Sequence, residues 1–107
     1  MELTNHERKI LAGVVARLKT DFGAERVFLF GSAARGSMDR ESDIDLMAIM
    51  PVADWDTKKR VCDLCFDAEL DIGRIISVRC MGKEMIENGP LRGSPLVRNV
   101  QREGVLQ

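Results

Sequence analysis

Gly31-Ser32-Ala33-Ala34-Arg35-Gly36, followed by Ser42-Asp43-Ile44-Asp45-Leu46, is the stretch whose reading decides the fold. The run before it, Val27-Phe28-Leu29-Phe30, is short and apolar, the pattern of a buried strand feeding a turn. Residues 43–50 read as a second strand, and the two-residue period of a strand puts Asp43 and Asp45 on one face. Two bare carboxylates side by side repel and raise one another's pKa. A divalent cation removes that conflict, and hard oxygen donors suit Mg²⁺ or Mn²⁺. Gly31 lets the backbone approach a ligand closely, while the Ser32 hydroxyl and neighbouring N–H groups can hold phosphate oxygens. These residues imply a site for a metal-bound nucleoside triphosphate.

Working outward, the 107 residues are expected to form one domain, spanning 1–107, with a single modest core. Sixteen Lys and Arg against seventeen Asp and Glu leave no global field that favours nucleic acid. The start of the chain lacks a signal-peptide h-region. The longest apolar stretch, residues 46–53, is too short to span a bilayer. A soluble, cytoplasmic protein with reduced thiols is the expectation. Cys62-Asp63-Leu64-Cys65 lies in a helical pattern without a second ligand pair, so it reads as buried helix cysteines rather than a zinc or redox site.

Thr4-Asn5-His6-Glu7 has the form of a capping box, and Ile10, Leu11, Val14, Val15 and Leu18 behind it recur at helical spacing. Gly23 closes this first helix. A first strand is expected over 26–30, a loop with a helical turn over 31–42, and a second strand over 43–50 that stops at Pro51. A helix capped by Asp54 then runs to about residue 68, with Val61, Leu64, Cys65 and Ala68 inward and Trp55 either covering the core or lying in a partner surface. Residues 70–80 hold a third strand. A short helix over 83–87 and a last one opened by Ser94-Pro95 and stopped by Gly104 complete the pattern.

Gly-Ser, ten residues and Asp-x-Asp together resemble the nucleotidyltransferase superfamily that includes DNA polymerase beta. The short chain and the Gly-Ser-x-Ala-Arg-Gly form resemble its minimal nucleotidyltransferase (MNT) branch, the antitoxin-like partners of HEPN proteins. The resemblance covers essentially the whole chain. It implies an α/β nucleotidyltransferase fold, a small mixed β-sheet with helices packed mainly on one face. It also implies transfer of a nucleoside monophosphate, AMP from ATP, onto a protein acceptor, the HEPN partner, with pyrophosphate leaving. A module that neutralises its partner by binding alone, and transfer to a small molecule at a site shared across a homo-oligomer, are the alternatives.

In that chemistry Asp43 and Asp45 would ligate the metals that activate the attacking oxygen and stabilise the leaving one. Gly31 and Ser32 would bind the terminal phosphates. Arg35, three residues past Ser32, would neutralise the departing pyrophosphate, or else pair on the surface with Asp39 or Glu41. Active family members usually carry a third carboxylate on a later strand. The third strand here has no acid at its centre, so Asp71 at its expected start is the nearest substitute and Glu69 the second choice.

Overall fold

Thr4 caps the first helix as its sequence requires: its hydroxyl accepts the Glu7 N–H at 3.1 Å, and Glu7 Oε1 accepts the Thr4 N–H at 2.9 Å. In this computed structural model, which describes residues 3–36 and 42–107, that helix is α1 (Asn5–Phe22). Then come β1 (Arg26–Phe30), the single turn α2 (Gly31–Arg35) and β2 (Ile44–Met50). They are followed by α3 (Trp55–Ile72), β3 (Ile76–Gly82), α4 (Lys83–Glu87), α5 (Pro95–Glu103) and β4 (Val105–Leu106).

The four strands lie in the order β3-β2-β1-β4. β1 runs antiparallel to β2 and β4, whereas β2 and β3 are parallel, with α3 as the crossover between them. The sheet is therefore mixed. Alternation along β2 builds two cores. Ile44, Leu46, Ala48 and Met50 face α1 and α3 and meet Leu11, Val14, Leu18, Val61, Leu64 and Ala68. Met47 and Ile49 face the other way and meet Phe28, Val97 and Val100 under α5. Each Val, Leu, Ile, Met or Phe among them, fully buried, contributes about 1.5–3 kcal/mol. The two long helices thus share one face, and α5 covers part of the other.

Three sequence expectations are corrected, and one strand is new. The third strand begins at Ile76 rather than near residue 70, because α3 continues through Glu69-Leu70-Asp71-Ile72 to Gly73. Gly73, at φ +73°, is the left-handed residue that ends α3. Trp55 does not cover the core: it is 81% exposed. The Asp54 cap, whose Oδ1 accepts the Thr57 N–H at 2.8 Å, starts α3, and Trp55 lies off the inward stripe of Val61, Leu64, Cys65 and Ala68, so it points out. Cys62 is likewise exposed, while Cys65 and Cys80 are buried. Burial pushes the Cys65 thiol up to about 12, which makes it inert. Finally, β4 is a two-residue strand on the outer edge of β1 that the sequence pattern does not announce.

Candidate active site

The chain turns at the end of β1 and comes back as β2, and antiparallel register sets Phe30 opposite Asp45. The next residue, Gly31, has φ +72°, a conformation that side chains disfavour. A Cβ built on Gly31 would stand 2.6 Å from Asp45 Oδ2. The Asp45 carboxylate therefore rests where any other residue's side chain would be. Glycine is required here twice, once for its backbone angle and once for the space.

Asp43 is exposed and Asp45 half-buried, two residues apart on the same strand face. Burial pushes the Asp45 carboxyl above its ordinary value, the Asp43 charge pushes it further, and the Arg79 and Arg35 guanidiniums pull it back. Among the described residues, Asp45 accepts no hydrogen bond. Its surroundings thus disfavour its negative charge and offer no protein donor in return. An oxygen pair of this kind fits a hard divalent cation.

Gly31, Arg35, Asp43 and Asp45 are brought together at one rim of the sheet. Ser32 stands in the same turn, half-buried. Asp39 and Glu41, the alternative partners for Arg35, lie outside the described residues. Asp71 is not brought to the pair. It sits exposed in the last turn of α3, on the helical side of the sheet, whereas Asp45 points to the other side. Glu69 is occupied structurally, its Oε1 accepting the Ile76 N–H at 2.9 Å.

Sequence reasoning missed two contributors. On β3 the residue in register with Asp45 is Ser77, and Arg79 follows two positions on, toward the same face. A cation thus stands on the strand where active family members present an acid. The second is Arg74, whose guanidinium pairs with the Glu7 carboxylate and donates from Nη1 to the Ser42 carbonyl at 3.1 Å. Both side chains are nine-tenths buried or more. This pair ties α1 and the start of β3 to the residue just before Asp43. An arginine beside a glycine in a turn gives no sequence signal of such a partnership. A cleft of about 310 Å³ opens beside the Gly31 turn, lined by Phe30, Arg35, Leu96, Asn99 and Glu103 among others.

A mixed sheet backed by two long helices, with a glycine-serine turn against paired aspartates at its rim, defines a nucleotidyltransferase-type domain. The chain belongs to the nucleotidyltransferase domain family, whose pattern matches residues 11–103. It is 35% identical over 101 residues to a Methanocaldococcus jannaschii protein whose name proposes a protein adenylyltransferase. That match spans 92% of this chain and 95% of the relative. Among solved structures, one of a toxin–antitoxin with AMP-PNP shares the fold at a TM-score of 0.59 and 19% identity, over 88% of this chain and 69% of that one. A structure from Sulfolobus solfataricus, named as a candidate nucleotidyltransferase, gives 0.50 at 18% identity, over 92% of this chain and 76% of that one.

Proposed function

We propose that this protein transfers AMP from ATP to a hydroxyl of a second protein, as the antitoxin of a HEPN/MNT pair in the cytoplasm. The observation that carries the reading is the Gly31–Asp45 contact, which holds the glycine-serine turn and the aspartate pair in one assembly. Asp43 and Asp45 would hold Mg²⁺ or Mn²⁺, which when bound supplies charge neutralisation at the phosphates and at the attacking oxygen. Gly31 admits the triphosphate to the backbone, Ser32 donates its hydroxyl to a phosphate oxygen, and Arg35 balances charge on the departing pyrophosphate. The cleft between α2 and α5 has the volume for a nucleoside. The acceptor hydroxyl forms its bond to the α-phosphorus as the bond to pyrophosphate breaks. The relative named for protein adenylyltransfer, and the fold shared with a toxin–antitoxin structure, support a protein acceptor.

The test is mass spectrometry of the cognate partner after incubation with Mg²⁺ and ATP, looking for added AMP on a tyrosine, serine or threonine. Transfer that disappears in Asp43→Ala/Asp45→Ala supports the reading, and transfer that survives in the double variant overturns it. One observation favours a second reading. Among the described residues no three His, Cys, Asp or Glu converge, and Ser77 and Arg79 stand where a third acid would serve as base. If wild type binds and silences its partner without adding AMP, the protein is a nucleotide-binding module that acts by occlusion.

A further inference from the structure

We infer that the outer face of α3 is an interface with a second copy of this chain, joined antiparallel about a two-fold axis. Trp55, Cys62, Phe66 and Leu70 recur along α3 at intervals of seven, four and four, a spacing that places them on one stripe. The stripe points away from the core. Trp55 is 81% exposed, Phe66 60% and Leu70 71%, and Cys62 is also at the surface. An exposed apolar stripe that recurs along a helix, here interrupted by Lys59 between Trp55 and Cys62, has the form of a helix-pair seam, and a single exposed residue does not.

The charges beside the ridge identify the occupant. The first half of α3 carries Lys58, Lys59 and Arg60 beside Asp56 and Asp63, and the second half carries Asp67, Glu69 and Asp71 without a base. Among the described residues, Lys58, Lys59, Asp67 and Asp71 form no ion pair. The last turn of α3 has no basic residue, although the negative end of the helix dipole favours one there. Asp67 and Asp71, four apart, repel each other as well. A second α3 running antiparallel answers all of these at once. It sets the basic run Lys58-Lys59-Arg60 against the acidic second half on both sides, Trp55 against the partner's Leu70, and the small Cys62 near the axis where the helices come closest. A parallel copy would set like against like.

Strand addition at the neighbouring edge of β3 is a poorer alternative, because Glu69 already occupies the Ile76 N–H. The interface lies on the helical side of the sheet, so it leaves the Gly31 turn and Asp45 open in both copies. The inference is independent of the reaction proposed above.

Sedimentation velocity decides it, with monomers of 12.0 kDa as the reference. Wild type is expected to sediment as a dimer, and Phe66→Asp/Leu70→Asp as a monomer with unchanged circular dichroism. Asp67→Lys and Lys58→Glu should each weaken the dimer at least tenfold, and the two together should restore it. Mild oxidation of the unaltered protein should join two chains through Cys62, and Cys62→Ser should prevent this. A wild type that remains monomeric at every concentration, or a dimer indifferent to Phe66 and Leu70, overturns the proposal, as does the absence of a Cys62 cross-link in a dimer.

Discussion

Glu7 and Asp45 are both carboxylates drawn back from water, and the fold treats them in opposite ways. Burial pushes Glu7 up, but the Thr4 N–H, the Arg74 guanidinium and the Thr4 hydroxyl together outweigh it and hold the group below its ordinary value. Asp45 meets burial and the charge of Asp43, and the more distant Arg79 and Arg35 do not make up the difference. A charge the fold needs for itself is surrounded by donors. One that the described residues leave unanswered at a sheet rim, against a glycine kept bare, suits the role proposed for Asp45, the holding of a cation.

The largest effect expected from this contrast is at Arg74. Arg74→Met strands Glu7 as a buried charge and should cost about 3 kcal/mol or more in urea denaturation, part of which Glu7→Gln in the same chain recovers. A cost below about 1 kcal/mol would mean that the Glu7 region is no better satisfied than the rim. Next comes Gly31→Ala, which adds a Cβ at 2.6 Å from Asp45 Oδ2 in a left-handed turn. It should cost about 1–3 kcal/mol and lower Mn²⁺ affinity, measured by melting and by metal titration. Unchanged metal affinity would separate the turn from the carboxylates.

Acid titration sharpens the contrast further, because the two groups act with opposite sign. Glu7, lowered in the fold, contributes stability that is present above its unfolded value of 4.5 and is lost as pH falls through its lower folded value. Asp45, raised, favours the folded state below its unfolded value of 3.8, and that advantage is lost as pH rises through its higher folded value. Glu7→Gln should therefore flatten the acid limb of a melting-temperature profile below pH 4.5. Asp45→Asn should raise the melting temperature at neutral pH while removing the Mg²⁺-dependent gain from ATP. The smallest effect is assigned to Asp71. Asp71→Asn should leave Mg·ATP binding and AMP transfer unchanged and move stability by no more than about 0.5 kcal/mol. A fall in transfer of about 10² would restore it as the base.

The motif residues were legible because a glycine-serine turn and an alternating aspartate pair carry their geometry in their spacing. The capping box, the Asp54 cap and the start of α5 were legible for the same reason, since each is a local pattern. What escaped was set by phase and by distance. Trp55, Cys62, Phe66 and Leu70 are apolar yet lie off the stripe of Val61, Leu64, Cys65 and Ala68 that faces in, so apolarity taken residue by residue misplaces Trp55 and Cys62. The end of α3 escaped because residues 69–72 suit a helix as well as a strand, and Gly73 settles the matter. Arg79 and Arg74 escaped because their partners come from other elements of the chain.

The Glu7–Arg74 pair also bears on the time the protein takes to come apart. Its members stand 67 positions apart in sequence. Closing so long a loop is entropically unfavourable, and α1, α3 and the β1–β2 pairing can all form without it. A contact of this kind that forms only after the barrier to folding has been crossed acts on the unfolding rate. On that expectation the ion pair is a latch on the rim beside Asp43: Arg74→Met should speed unfolding and leave the refolding rate little changed, measured by stopped-flow dilution from urea.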